Sequence, residues 1–125
     1  MHTSPSPAVQ ALFLFLSENN EGLQNAALVL GGGKALKRVQ HLLDHLGVTR
    51  QLTRRARHDL VALHELFTLK YVGDPMRLET ELFAEIDPMD PMVEEICLLT
   101  DRLEDHMRAI DAASDLPVFD FDIAA

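Results

Sequence analysis

Two histidines, His41 and His45, are four residues apart, a spacing at which two imidazoles on one helix face can bind the same metal ion. The residues before them oppose such a site, because Lys37 lies one turn before His41 and Arg38 is close by. Positive charges at that distance repel a divalent cation. The glutamate that follows the first histidine in zinc-protease motifs is also missing. We therefore expect no metal ion at these histidines.

Three consecutive glycines at positions 31–33 precede Lys34, where backbone amides at a helix start can bind a phosphate group. A P-loop would have glycine in place of Leu28 and Ser or Thr in place of Ala35. The dinucleotide-binding fingerprint requires flanking β-strands, and the pattern around the glycines is helical. The sequence therefore predicts a hinge between two helices, at which glycine supplies a positive φ, and it predicts no cofactor.

Candidate nucleophiles are few. Cys97 falls in the apolar stripe of the last predicted helix, which favours a position in the core. Ser17 and Ser114 have no histidine near them in the sequence. The Glu-x-x-His pairs of di-iron helical bundles do not occur. We therefore expect no catalytic residue, and an enzyme or a metal-binding helical bundle is kept as an alternative.

Residues 38–58 combine a helix that ends at Leu46-Gly47 with a second helix that Thr49 can cap. This pattern is similar to the helix-turn-helix of DNA-binding regulators. The resemblance implies that basic side chains of the segment contact phosphates and base edges. The candidate residues for these contacts are Arg38, Arg50, Arg54, Arg55 and Arg57. The alternative structure is an αα-hairpin whose basic face pairs with acidic helices.

Helical periodicity dominates the elements that must position these residues. Apolar residues recur at three- and four-residue intervals over residues 23–30 and again over 35–46. A longer helix is expected from Thr49 to near Gly73. Asp followed by Pro is typical of a helix start, because Asp can cap the first turn and Pro fits its first position. Such starts occur as Asp-Pro-Met triplets at Asp74, Asp87 and Asp90. The predicted fold is all-α, an irregular bundle of five or six helices.

An apolar run from Leu12 to Leu16 is expected to lie in a helix over residues 8–16, because no partner strand is predicted before residue 118. Its side chains point in all directions of a helix, so one groove of a bundle cannot cover them all. A second copy of the chain is the simplest cover, since symmetric dimers are the commonest soluble oligomers. The alternative is a central helix covered on all sides by its own chain. The candidate interaction residues are Leu12, Phe13 and Phe15, with Phe119 and Phe121 of a strand-like C-terminal segment.

The 125-residue chain has 11 basic and 20 acidic residues, which give a net charge of −9. The charge is uneven along the chain: −2 over residues 1–33, +6 over residues 34–57 and −13 over residues 58–125. A basic segment next to an acidic one can recruit a partner of opposite charge, or be neutralised within the fold or between copies of the chain. The charge pattern predicts that Arg54 and Arg57 have carboxylates within ion-pair distance.

A single cysteine excludes a disulfide-framed secreted module. The densest apolar stretch, at residues 11–16, is too short for a transmembrane helix, which needs about 20 residues. It is also a poor signal peptide, because no Lys or Arg precedes it. We expect a cytoplasmic protein without membrane association. Its predicted parts are a disordered segment at 1–7, one helical domain at 8–113 and an extended tail at 114–125.

These patterns favour a non-enzymatic interaction or regulatory protein that associates with itself as a homodimer, or with another protein. A DNA-binding transcriptional regulator that uses residues 38–58 is the second hypothesis. An enzyme or metal-binding bundle is the third. The hypotheses differ in what covers the first helix and in which side chains lie near the basic segment.

Overall fold

The computed structural model describes residues 7–49, 51–69, 82, 84–113 and 119. This part of the chain contains four helices and no β-strand, which confirms the predicted all-α class. The helices are α1, Pro7–Glu18; α2, Asn20–Thr49; α3, Arg54–Phe67; and α4, Pro91–Ala113. Five or six helices were predicted. The difference arises because two predicted helices form the single element α2, and because the helix expected after Asp74 falls largely outside the described residues.

Helix α2 folds back on itself at Gly32, whose backbone angles are φ 74° and ψ −164°. Gln40 Nε2 donates a hydrogen bond to Gln24 Oε1 at 3.1 Å. Sixteen residues of straight helix would separate these side chains by about 24 Å. The two arms of α2, residues 20–31 and 33–49, therefore lie side by side and antiparallel. The predicted glycine hinge between two helices is confirmed, since only glycine adopts this conformation readily.

The glycines on either side of the hinge have different surroundings. A Cβ atom on Gly31 would be 2.6 Å from the Cβ of Ala35 and 3.1 Å from Leu66 Cδ1 of α3. A Cβ atom on Gly33 would have nothing within 4 Å. Because Gly31 has no side chain, Ala35 of the second arm of α2 and Leu66 at the end of α3 can lie close to its backbone. The space around Gly33 is open.

The boundary between α2 and α3 differs from the prediction. Helix α2 continues through Gly47 to Thr49, because Gly47 has no positive φ and so forms no left-handed cap. The N-cap of α3 is Thr53, whose side-chain oxygen accepts a hydrogen bond from the backbone N–H of Ala56 at 3.1 Å. The same oxygen lies 2.9 Å from His45 Nε2 of α2. Either threonine can cap a helix, and the contact with His45 favours Thr53.

Helix α3 also ends earlier than predicted, at Phe67 rather than near Gly73. Thr68 donates both its backbone N–H and its hydroxyl to the carbonyl oxygen of His64, each at 2.9 Å. The next residue, Leu69, has a left-handed φ of 62°, which ends the helical path. The apolar pattern continues past this point, so periodicity alone places the end too late.

The last Asp-Pro-Met triplet begins a helix as predicted. Asp90 Oδ1 accepts a hydrogen bond from the backbone N–H of Met92 at 3.0 Å, and α4 starts at Pro91. The triplet before it forms a turn instead: Asp87 Oδ1 accepts from Met89 N at 2.9 Å, and Asp87 O accepts from Asp90 N. The triplet at Asp74 lies outside the described residues.

Neighbouring helices run antiparallel. The second arm of α2 packs against α3. Thr53, just before α3, contacts His45, and Asp59, further along α3, contacts His41, which is one turn before His45 on α2. Helix α3 pairs with α4 in the same way: the hydroxyl of Thr100 contacts Phe67 O at 3.5 Å, and Glu104 lies near His64.

Helix α4 also packs along α1, and these two helices contact each other more extensively than either contacts the first arm of α2. The rings of Phe15 and His106 are 5.0 Å apart between centroids. Further along the chain, Gly22 lies against Glu95 and Leu99. Gly22 is on the first arm of α2, which continues the path of α1 through the i to i+4 hydrogen bonds Asn19 N to Phe15 O and Leu23 N to Asn19 O. From Phe15 to Gly22 the residues contacted on α4 fall from His106 to Glu95 and Leu99, so α4 runs antiparallel to α1 and to this arm.

One apolar core fills the space between the helices. A buried leucine is worth about 1.5–3 kcal/mol relative to an exposed one, so these side chains are the main source of stability. The core residues are Leu12, Phe15, Leu16, Leu23, Ala26, Ala27, Leu30, Val39, Leu42, Leu46, Ala56, Leu60, Leu63, Phe67, Ile96, Leu99, Leu103, Met107 and Ile110.

One residue of the C-terminal segment is described, and it contacts the bundle. Phe119 is half-buried against the core, and its backbone N–H donates to Asp111 Oδ1 at 2.8 Å. Asp111 is only 5% exposed, so this hydrogen bond satisfies a buried carboxylate. Phe121 and the rest of the predicted tail lie outside the described residues. Of the segment predicted to be disordered, residues 1–7, only Pro7 is described, and it begins α1.

Candidate functional site: a surface groove beside helix α1

An open groove of about 990 Å³ runs between the outer side of α1 and the last two turns of α2. Its walls are mainly apolar, and Asp44 is the one charged residue among the described residues that line it. The lining residues are Pro7, Gln10, Ala11, Phe13, Leu14, Leu16, Ser17, Asn20, Leu43, Asp44, Leu46, Gly47 and Gln51.

Large apolar side chains at the groove are incompletely covered. Leu14 is 58% exposed, and Phe13 and Leu43 are half-buried. Val48, beside the groove residue Gly47, is 84% exposed. Exposed leucines scattered singly are ordinary, but apolar side chains gathered around a concave surface are typical of a binding site.

The groove contains only part of the predicted interaction set. Leu12 and Phe15 are 0% and 6% exposed and belong to the core of their own chain, so their side chains are not available to a partner. Phe13 lines the groove as an interaction residue would. Leu14 was not predicted, although a helix with Leu12, Phe15 and Leu16 on its buried side must point Leu14 away from the core.

No family model, curated protein or solved structure matches this chain. Within the described ranges, no helix is both long enough and apolar enough to cross a membrane. The function is therefore inferred from the surfaces of the protein itself. Besides the groove, three features bear on it: the basic residues of α2 and α3, the histidines between these helices, and the partly buried histidines His64 and His106.

The predicted nucleic-acid residues that the structure describes lie on an αα-hairpin. In a helix-turn-helix the two helices cross at about 90–120°, whereas the second arm of α2 and α3 lie antiparallel along their lengths. Three of the arginines are exposed, namely Arg38, Arg54 and Arg55. Arg57 is half-buried, and within the described part of the chain its Nε has no hydrogen-bond partner. Arg50 lies outside the described residues.

The basic residues are not neutralised by the helices next to them. Among the described residues, neither Arg54 nor Arg57 has a carboxylate within ion-pair distance, so the predicted pairing within one chain is not observed there. Arg108 does form an ion pair: it lies 2.8 Å from Glu104, one turn earlier on α4. Within the described part of the chain, Arg54 and Arg57 therefore have no ion pair.

The two histidines spaced four residues apart contact α3 individually. Their rings are stacked, with centroids 6.3 Å apart. His41 Nδ1 lies 3.6 Å from Asp59 Oδ2, and His45 Nε2 lies 2.9 Å from the hydroxyl of Thr53. In the ranges that the structure describes, no group of three or more suitable side chains could hold a metal ion. The arrangement is that of a polar contact between two packed helices.

The candidate nucleophiles have no base beside them in the described contacts. Cys97 is exposed on α4, although the sequence pattern placed it in the core. Its neighbours Ile96 and Leu99 occupy the buried side of the helix instead. Ser17 lines the groove and Ser114 lies outside the described residues.

Two other histidines are partly buried: His64 on α3, near Glu104 of α4, and His106 on α4, against Phe15 of α1. Burial lowers the pKa of His64 below its ordinary value of 6.5, an effect that nearby Glu104 and Glu65 oppose and Arg108 reinforces. Burial likewise lowers the pKa of His106, which packs on Phe15, and Asp105 opposes the shift. Both histidines are therefore harder to protonate in the folded chain than in the unfolded chain.

We predict that the protein loses stability as the pH falls below about 6.5, because the unfolded chain then binds protons that folded His64 and His106 resist. The free energy of unfolding from urea titrations at about pH 7.5 and about pH 5.5 measures this loss. A variant with His64→Gln and His106→Gln should show a smaller difference between the two pH values. An equal difference in the variant and the wild type would contradict the assignment to these histidines.

Proposed function

We propose that this protein is a non-enzymatic, cytoplasmic interaction or regulatory protein that self-associates through the groove beside α1. The supporting observation is the set of incompletely covered apolar side chains that line the groove: Phe13, Leu14 and Leu43. Complete burial of a large apolar side chain that starts fully exposed is worth about 1.5–3 kcal/mol, and these side chains gain the share that corresponds to their remaining exposed surface. In a twofold dimer, each of these side chains is buried once on each copy.

A second copy is the partner that the charges of this surface favour. A charged residue that lies close to a twofold axis is brought near its own counterpart, so charges at the centre of such an interface oppose association. From Pro7 to Ser17, α1 carries no charged side chain, and Asp44 is the one charged residue described in the groove lining. Two copies can therefore approach along residues 7–17 of α1 with little repulsion between like charges.

The shape of the surface is also suited to a twofold contact. An isologous interface uses the same patch on both copies, so the patch must offer both a projection and a recess. Leu14 projects beside the recess between Phe13 and Leu43. With the two α1 helices antiparallel, Leu14 of each copy can enter the recess of the other.

The proposal predicts that Leu14→Asp converts a dimer into a folded monomer, because the interface would bury one unpaired carboxylate per copy. Sedimentation equilibrium at micromolar concentration measures the mass, and circular dichroism checks that the helices are retained. A salt concentration of about 0.5 M, at which the Debye length is only about 4 Å, suppresses association driven by charge alone.

Leu28→Asp is the matched control. Leu28 is 46% exposed on the first arm of α2 and does not line the groove, so this variant should remain dimeric. A wild-type protein that is monomeric at these concentrations would refute self-association through the groove. Equal dissociation by both variants would place the interface elsewhere.

A further inference from the structure

A row of basic side chains follows the contact between the second arm of α2 and α3. Lys34, Arg38 and His41 are one turn apart on α2, and His41 touches Asp59 of α3, so this row faces the α2–α3 contact. Arg55 lies one turn before Asp59 on the other side of the contact. The exposed cations at this surface are Lys34, Lys37, Arg38, Arg54 and Arg55, and we call them the basic seam.

The length of the basic seam follows from the antiparallel packing. The start of α3 lies beside His45, where Thr53 contacts it. Arg54 and Arg55 are therefore level with the part of α2 near His45, eleven residues after Lys34. At 1.5 Å per helical residue, the seam is about 16 Å long.

Helix α4 presents an acidic row of the same length. Glu94, Asp101 and Asp105 are at positions i, i+7 and i+11, which fall on one helix face, and all three are exposed. We call them the acidic stripe. None of the three has an ion-pair partner within the described residues. Eleven residues separate the ends of the stripe, which gives about 16 Å again.

We propose that the basic seam binds the acidic stripe of another copy of this chain. The two rows match in length and are opposite in charge. Neither row is neutralised within the described part of its own chain. The described walls of the groove include no residue of the seam or the stripe, so this contact is separate from the proposed dimer interface. Because one copy can offer its seam and its stripe to different neighbours, association can extend beyond a dimer.

A nucleic acid is the competing occupant of the seam, and the charge of the whole molecule disfavours it. The net charge of −9 repels a polyanion at long range. Another copy is repelled overall as well, but it carries its own basic seam, and two copies can orient opposite patches toward each other. Duplex DNA has no positive patch to offer in return.

The expected result is a weight-average mass that is larger at about 0.05 M salt than at about 0.5 M salt, because the Debye length is several-fold longer in dilute salt. Two reversals should each abolish the difference: Arg54→Glu with Arg55→Glu in the seam, and Asp101→Lys with Asp105→Lys in the stripe. An equimolar mixture of the two variants should regain it, since the reversed seam then faces a reversed stripe.

Glu18→Lys with Glu21→Lys is the matched control for the stripe variant. Both glutamates are exposed outside the stripe, and the substitutions change the net charge by the same amount. This variant should keep the salt-dependent mass. A wild-type mass that does not change with salt would overturn the proposal, as would a mixture that fails to recover. If the wild type bound duplex DNA and the seam variant did not, while self-association stayed unchanged, the seam would be a nucleic-acid-binding surface instead.

The groove and seam proposals can fail separately. Leu14→Asp should lower the mass at high salt and still show an increase at low salt. The seam variant should lose the increase in mass at low salt and should still form the dimer at high salt.

Discussion

Leu12→Ala is expected to lower the free energy of unfolding by about 2–5 kcal/mol, the range for a leucine removed from a packed core. Leu12 is 0% exposed and belongs to the core, so truncation leaves a cavity among its neighbours. The total stability of a domain is only about 5–15 kcal/mol, so this variant loses a large fraction of it. Urea denaturation followed by circular dichroism measures the change.

Leu14→Ala is the control for this prediction, because Leu14 is two residues away on the same helix and 58% exposed. At protein concentrations low enough to keep the chain monomeric, its stability should change by no more than about 0.5 kcal/mol. A similar loss for both variants would mean that the two sides of α1 are equally buried, which contradicts the helix orientation described above.

Gly32→Ala should destabilise the protein by about 1–3 kcal/mol, since the residue would be held in a region of φ and ψ that is open almost only to glycine. The observed angles, φ 74° and ψ −164°, lie in that region. The strain falls where the two arms of α2 fold back, so relief would require the arms to separate. Thermal or urea denaturation of the variant measures the effect.

Gly33→Ala is expected to have the opposite sign. Gly33 lies in the helix just after the hinge, and an added Cβ would have nothing within 4 Å. Alanine in place of a glycine whose backbone angles it can adopt without strain stabilises by about 0.4–1 kcal/mol, because the unfolded chain has less conformational freedom. If both substitutions proved neutral, the hinge would not depend on the left-handed backbone at Gly32.

The features that the sequence predicts correctly are those determined by local chemistry. The hinge follows from consecutive glycines between two apolar periodic segments, and the start of α4 follows from the capping carboxylate of Asp90. The boundary between α2 and α3 was predicted wrongly, because Thr49 and Thr53 are equally able to cap a helix. The contact of Thr53 with His45, eight residues away, favours the second position, and periodicity cannot indicate it.

The candidate site shows the same limit. The apolar run on α1 indicates that some of its side chains remain uncovered, but the identity of those side chains depends on where α4 and α2 pack. Leu12 and Phe15 face the core, whereas Leu14 faces outward. The basic segment was recognised from its composition. Its length and its outward position become visible only when α3 lies antiparallel to α2.

The antiparallel packing of α1 on α4 has a practical consequence for any engineered form of the protein. It brings Pro7, the first helical residue, to the same end of the bundle as Ala113, the last residue of α4. Pro7 also lines the groove. A fusion partner or affinity tag attached before α1 would therefore leave the bundle at the mouth of the groove, and one attached after α4 would leave at the same end.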